Sequence, residues 1–427
     1  MAMNPSIGLV GIAVQKDRDT PATEPAYLHG LTGGSPFGMS RSVANTAVAC
    51  GSRSPSDAYV ESIEYSGSVQ SLCYPDAFGM WLYAALGEDT VTPVTGKDGY
   101  YKHVFRMASA LPFLTCWSQF DTSVQRLEGC ICGTLEIGAT GNERLTMSAS
   151  VLGLDGYVDV GTIPGSTQAS CYDGKFMTTD CTFKLDTASD VPADALVSEA
   201  TFTIENNATG LTSLGRANPR DIAVGNFSAG VSVTTIPDDI SMYKKMVTGS
   251  ASETHVSSKL VLGSVSAHFL HTDDANMTLD IEMGHIPFTA DFPEVDPEGN
   301  EATIQFTSDA AIVNASGDSP IVVTLVNKVP SYDLSQSITS IQVVNSDGSA
   351  ATTEVAADGH VDLAVKVTDG TGASRVVATG FTLASSNPKF LSVSGSRVTW
   401  VAAGSATITA TYGGKKATLD MTAAAKA

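Results

Sequence analysis

Apolar and polar residues alternate with a period of two along much of this chain. Val361, Leu363, Val365 and Val367 are interleaved with Asp362, Ala364 and Lys366, which is the pattern of a strand with one buried face. Residues 406–412, ATITATY, repeat it and run into Gly413-Gly414, a turn signal. Past residue 334 such short strands, parted by Gly, Asn, Asp and Ser, fill about ninety residues, the size and rhythm of a β-sandwich. Upstream, HVFRM (103–107), LPFLTCWSQF (111–120), LEGCICGTLEIGA (127–139) and RLTMSASVLG (144–153) predict one set of strands. KLVLGSVSAHFL (259–270), NMTLDIEMGHIPFTA (276–290) and EATIQFTSDAAIV (301–313) predict another.

Two windows break this rhythm with helical spacing, and each can be laid on the other. Residues 65–87 align without gaps on residues 227–249 at an offset of 162, with Ser66/Ser228, Val69/Val231, Pro75/Pro237, Asp76/Asp238, Met80/Met242 and Gly87/Gly249 identical. Each copy reads as a strand, then Pro-Asp opening a helix, an aromatic residue at the same turn (Trp81 or Tyr243) and a closing glycine. Proline at a helix start gives up an amide that has no partner there, and the adjacent aspartate suits the positive helix end. Gly87 and Gly249 fit the left-handed position that ends a helix. Phe78, Trp81, Leu82 and Ala85 form one apolar face of the first helix; Ile240, Tyr243 and Val247 do so in the second, with Lys244 and Lys245 opposite. Helices of about eleven residues are too short to stand alone and must dock on a sheet. The expectation is a mainly β chain: two tandem β-sandwich or barrel domains, 1–165 and 166–333, each flanked by one helix, and a third sandwich, 334–427.

Composition narrows the function. The chain has 427 residues, 43% hydrophobic and 16% charged, with a formal net charge of −21, which argues against gripping nucleic acid. The acidity is uneven: residues 334–427 hold seven Lys/Arg against six Asp/Glu, leaving seventeen against thirty-nine in residues 1–333. No apolar run is long enough to span a bilayer, and the N-terminus lacks the pattern of a secretory signal, so a cytoplasmically made protein without membrane insertion is expected. The seven cysteines (Cys50, Cys73, Cys116, Cys130, Cys132, Cys171, Cys181) are odd in number and irregularly spaced. They read as reduced, mostly buried thiols and not as a zinc set. His268-Phe-Leu-His271 lacks further ligands at metal spacing, and Asp273-Asp274 and DFPEVDPEGNE (291–301) lack the spacing of an EF-hand loop. No GxSxG, HExxH, GxxxxGK[ST] or strand-borne GxGxxG occurs. Trp81, Trp117 and Trp400 sit in apolar alternation and read as core. No catalytic, cofactor-binding or metal-binding residue is expected.

Two resemblances add to this reading. From SITSIQVV to Gly404-Ser-Ala-Thr-Ile-Thr-Ala410 the last segment resembles the bacterial immunoglobulin-like family, which implies a fold and almost nothing about activity. Residues 1–333 resemble siphophage tail tube proteins in a duplicated, trimeric-ring version. The passages that carry this are GLVGIAVQKDRDTPATEPAYLHGLTGGSPF (8–37), the strand–Pro-Asp–helix unit in both halves, LEGCICGTLEIGATGNERLTMSASVLG (127–153) and SEATFTIENNATGLTSLGRANPRDIAVGNFSAGVSV (198–233). The resemblance implies a virion protein, assembled in the host cytoplasm, whose rings stack into a hollow tube for the genome. The implied partners are further copies of the chain, a tail-tip or baseplate initiator, a tape measure protein and a tail terminator. Viral DNA would pass without specific binding, and the immunoglobulin-like domain would touch host surfaces weakly. The arm 1–37 and the stretches Glu88–Tyr101 and Thr248–Ser258, read as loops, are implied contacts between chains and rings. The alternative is an exported bacterial surface-binding protein with immunoglobulin-like modules.

Overall fold

The computed structural model describes residues 8–22, 27–46, 57–97, 99–158, 160–161, 163, 174–186, 196–237, 239–250, 252–258, 260–293, 302–313, 317–333, 338–369, 374–377, 381–412 and 415–426. The chain divides into two compact units, Met1–Val329 and Pro330–Ala427. Strands dominate both, and the described residues contain two helices.

One sheet of the first unit runs through both halves of the repeat. Its first-half strands are, in spatial order, Gly38–Thr46, Asp57–Leu72, Thr146–Leu152 and Ser123–Thr140. Its second-half strands follow the same order: Leu196–Glu205, Ser228–Ile236, Ile304–Ser308 and Thr289–Ala290. The halves meet where Ser123–Thr140 pairs with Leu196–Glu205, from Thr134 opposite Glu205 to Thr140 opposite Glu199. Where the sequence predicts separate sandwiches, the backbone hydrogen bonds fuse the two halves. Ser123–Thr140 reaches 18 residues because it serves successive neighbours. Its first part pairs with Leu114–Phe120, which leads on to Gly8–Val14 and Tyr27–Gly30, and its second part pairs with Thr146–Leu152.

A second sheet, of six strands, also mixes the halves: Phe176–Asp186, Gly263–His271, Thr278–Ile286, Ile321–Asn327, Tyr101–Met107 and Gly87–Pro93. The crossing point places Val323 opposite Phe105. Strict alternation in Ile321–Asn327 buries Ile321, Val323 and Leu325, each worth about 1.5–3 kcal/mol when fully removed from water. The stretch from Glu88 to Tyr101 is therefore largely one arm of a hairpin and not an open loop, because Gly87–Pro93 pairs residue for residue with Tyr101–Met107.

Helix α1 (Pro75–Leu86) packs on Ser123–Thr140 and on Ile321–Asn327. Pro75 stands in its first turn with Asp76, and Gly87 closes it in the left-handed region (φ 86°), its N–H donating to the Tyr83 carbonyl. Eleven of its twelve residues are buried, so Phe78 and Trp81 lie within an all-round apolar surface rather than on one face. Helix α2 (Ser241–Thr248) differs from its sequence reading in three ways. It opens at Ser241 and not at Pro237, because the Asp239 carboxylate accepts the Ser241 N–H (2.7 Å) and starts the helix there; Asp238 lies outside the described residues. It has eight residues, and its buried member is Met246, whereas Tyr243 is half-buried and Ile240 is exposed. Gly249 closes it (φ 83°), its N–H donating to the Lys245 carbonyl.

The second unit stacks Ile338–Asn345, His360–Asp369, Arg397–Trp400, Leu391–Ser394 and Ser374–Val377 in one sheet. Glu354–Val355, Lys415–Ala423, Gly404–Tyr412 and Thr382–Ser385 form the other. Leu363, Val365, Val367, Val398, Ile408, Ala410 and Met421 are part of its core. The Trp400 indole donates to the Ala424 carbonyl (2.8 Å), which ties down the chain end.

Candidate functional site

The sheet that runs through both halves has one face in the core and one face open. Apolar side chains at Tyr65, Val69, Leu135, Ile137, Met147, Ala149, Val151, Phe202, Ile204, Val231, Val233 and Phe306 are buried. By alternation the opposite face carries Ser66, Ser68 and Gln70; Thr146, Ser148 and Ser150; Thr134, Glu136 and Thr140; Glu199, Thr201, Thr203 and Glu205; Ser228, Ser232 and Thr234; and Gln305 and Thr307. Hydroxyls and amides bond across it, Thr134 Oγ1 to Ser150 Oγ (2.7 Å) and Gln305 Nε2 donating to Ser232 Oγ (2.9 Å). The register sets Glu136 between Ser148 and Thr203, and Glu205 between Thr134 and Ser228. No lysine or arginine stands on this face of the paired strands named. It is a hydroxyl-rich, anionic surface that offers a polyanion neither an ion pair nor an apolar platform.

The seam between the halves is locked by amides that satisfy buried carbonyls. Asn206, directly after the strand Leu196–Glu205, donates from Nδ2 to the Ala85 carbonyl at the end of α1 (2.9 Å) and to the Cys132 carbonyl (3.1 Å). Asn327 Nδ2 donates to the Pro75 carbonyl (3.0 Å), and the Lys328 N–H donates to Asp76 Oδ1 (3.4 Å). His103, fully buried, bridges Asp89 (Nδ1–Oδ1 3.0 Å) and the Val329 carbonyl (Nε2–O 2.8 Å). Second-half residues thus hold both ends of the first-half helix.

At its two ends the sheet is unpaired. Among the described residues no strand flanks Gly38–Thr46 on its far side, and none flanks Thr289–Ala290 on its far side. Gly38–Thr46 and the start of Asp57–Leu72 project as a two-stranded ribbon that leaves Val43, Tyr59 and Val60 exposed. In the second half the same connection carries the small hairpin Thr209–Leu211/Asp221–Ala223, with Leu211 and Leu214 exposed. The two projections touch, the Ile63 N–H donating to the Ala217 carbonyl (2.9 Å).

This chain, with a duplicated half-sheet, a polar open face and edges that no described strand pairs, matches the family model of phage tail tube proteins over residues 7–325. The chain belongs to that family. It is a structural protein of the bacteriophage tail, a membership that does not favour an exported surface-binding protein. No curated protein matches it significantly.

The residues singled out in the sequence of this tail tube protein are framework. Phe78 and Trp81 are fully buried beneath the open sheet. Tyr243 stacks edge-on against Phe292 at 5.4 Å between ring centres. Pro75, Asp76 and Gly87 frame α1, Gly249 ends α2, and Pro237 lies in the connection before α2. The structure does not gather them into a cleft. Nor does it make a metal pair of the HxxH residues: on an extended strand, positions three apart point to opposite faces. His268 Nδ1 is bound to Asp280, and His271 Nδ1 accepts the Asp273 and Asp274 amides (3.2 and 3.0 Å). Among the described residues no group of His, Cys, Asp and Glu is arranged to hold a metal, and no helix is long and apolar enough to cross a membrane. Cys73, Cys116, Cys130, Cys132 and Cys181 are free; Cys50 and Cys171, and most of the acidic stretch 291–301, lie outside the described residues. Burial pushes the Cys132 thiol up to about 12 and the Cys181 thiol up to about 11, which favours the protonated thiol of both at neutral pH. Asn206 and Asn327, which hold α1, carried no sequence signal beyond the Asn206-Asn207 pair at a strand end.

Proposed function

We propose that three copies of this chain close into a ring with pseudo-sixfold symmetry, and that rings stack into the tail tube through which viral DNA passes. The observation that carries the reading is the internal seam. The last strand of the first half-sheet, Ser123–Thr140, pairs with the first strand of the second, Leu196–Glu205. At the two ends of the chain's sheet the equivalents are Thr289–Ala290 and the segment 32–38 that leads into Gly38–Thr46, since Gly38 lies opposite Ser66 as Glu205 lies opposite Ser228; among the described residues no strand pairs with the outer flank of either. Pairing the free end of one copy with the free start of the next repeats the internal junction, and it removes edges that otherwise template aggregation. The hydroxyl-rich face with Glu136, Glu199 and Glu205 then lines the lumen and repels the phosphate backbone. The exposed ribbon Gly38–Thr46/Asp57–Leu72 and the 206–227 connection serve ring-to-ring contact. Display of the immunoglobulin-like unit on the tube exterior, where it decorates the tail and touches host surfaces, belongs to the same reading. So does assembly in the host cytoplasm, with a tail-tip initiator, tape measure protein and terminator.

Negative-stain electron microscopy of the purified chain, alone and with a tail-tip initiator fraction, tests the ring. Hollow rings or tubes are expected, with outward knobs that vanish in a chain ending at Ser331. A protein that stays monomeric in every condition would overturn the reading. Phage carrying Glu136→Lys and Glu205→Lys should assemble tails yet deliver DNA poorly; unchanged DNA delivery would overturn the role given to the open face.

A further inference from the structure

The two helices of the repeat occupy equivalent places in unequal surroundings. Helix α1 packs on Ser123–Thr140, the strand that meets the second half, and residues from across that seam bury it. Helix α2 packs on Thr289–Ala290, the equivalent strand at the free edge. No residue from beyond that edge covers it among the described residues. The segment after Gly249 folds back on the helix through a Ser257 N–H to Val247 carbonyl bond (3.1 Å), and among its described residues no strand forms before Gly263. Large apolar residues are consequently left in water around α2: Leu260 is 68% exposed, Val256 63%, Phe292 59% and Ile240 47%. Phe292 is the ring that stacks on Tyr243 of the helix, and Val256 and Leu260 flank the segment that folds back on it. Four such residues about one short helix form an unusual apolar surface for a finished one.

We propose that this apolar rim of α2 docks the first half of a second copy of the chain, so that α2 acquires in the assembly the burial that α1 already has at the internal seam. The inference rests on the ring reading above and assigns it a contact. The occupant follows from the register. Gly38 lies opposite Ser66 and Glu205 lies opposite Ser228, and Ser66 and Ser228 are equivalent under the repeat. The segment 32–38 of the next copy is therefore the counterpart of 199–205, and Gly38 is the counterpart of Glu205, the strand end from which Asn206 reaches α1. The Thr289–Ala290 edge and the α2 rim are neighbouring parts of a single interface, the edge supplying backbone hydrogen bonds and the rim apolar area.

The test compares the full-length chain with Phe292→Glu and Leu260→Glu, and with Val376→Glu in the second unit as a control for a charge placed at an exposed valine. Sedimentation velocity and electron microscopy read assembly, and circular dichroism melts verify folding. Hydrogen exchange follows the amides of α1 and α2 before and after assembly. Expected are folded Phe292→Glu and Leu260→Glu chains whose assembly requires about tenfold or more higher concentration, an unaffected Val376→Glu chain, and α2 amides that gain protection on assembly while those of α1 are protected throughout. Wild-type rings with unprotected α2 amides, or rim variants that assemble like wild type, overturn the docking inference and leave the ring reading standing. A wild-type chain that never assembles overturns both.

Discussion

His29 offers a direct measure of how firmly the N-terminal strands are sealed over α1. It lies on the strand Tyr27–Gly30, opposite Val10, fully buried, with its ring 6.0 Å from that of Trp81. Neither imidazole nitrogen has a protein partner, and the Trp81 indole nitrogen has none either. Burial without a partner disfavours the charged form and pushes the imidazole from its ordinary 6.5 down to about 3. The folded chain therefore binds fewer protons than the unfolded chain between those limits, and acid favours unfolding. This group costs nothing above pH 6.5, and its penalty grows by about 1.4 kcal/mol for each unit that pH falls toward 3. At pH 4.5, two units below the ordinary value, the penalty is about 2.7 kcal/mol.

His29→Phe keeps a ring in the site and removes the titration. Urea unfolding of both chains, followed by tryptophan fluorescence at pH 7.5, 5.5 and 4.5, isolates the effect, because titrations common to the two cancel in their difference. The stability gap in favour of the phenylalanine chain should widen by about 2.7 kcal/mol between pH 7.5 and 4.5. A gap that stays constant with pH would mean that His29 reaches water or a partner in the folded protein, and the reasoning would fail.

Two further substitutions probe the repeat. Gly87→Ala should destabilise far more than Gly249→Ala in parallel thermal melts. Both glycines are left-handed, which alone costs about 1–2 kcal/mol for a side chain, but a Cβ at Gly87 would fall 2.6 Å from the Ala110 carbonyl oxygen, whereas at Gly249 it meets nothing nearer than 3.5 Å. Asn206→Ala should lower stability by about 2 kcal/mol in urea unfolding, because it strips donors from the buried Ala85 and Cys132 carbonyls; Asn207→Ala, removing one exposed bond to the Asn226 carbonyl, should cost much less.

What could be read from sequence follows the range of the interaction responsible. The start and stop of α1 were legible because proline and glycine act on their own backbone angles. The start of α2 was not: the same Pro-Asp pair stands at 237–238, yet a carboxylate two residues before Ser241 sets the boundary instead. The face on which Glu136, Glu199 and Glu205 stand was not read from the sequence. Their assembly on one surface depends on the pairing of Ser123–Thr140 with Leu196–Glu205, about seventy residues apart in the chain, and no local pattern carries that register. Asn206 and Asn327 were invisible for the same reason, since their value lies in carbonyls of a helix more than a hundred residues away.

The unequal helices show why a duplicated subunit need not keep its copies alike. A helix apolar on every side must be buried as soon as it forms, and α1, whose only ionisable side chains beyond Tyr83 is Asp76, meets that demand within its own chain. Helix α2 carries Lys244 and Lys245 and buries Met246 alone, so it tolerates water. If the outer edge of the sheet bore a helix like α1, the free subunit would expose its whole surface and associate without order. Lysines on α2, a two-residue edge strand at Thr289–Ala290 and a limited apolar rim keep that edge soluble, while enough area remains to reward the one partner whose strand fits the register. On the ring reading, divergence between the two copies of the repeat separates a junction that must never open from one that must wait for another chain.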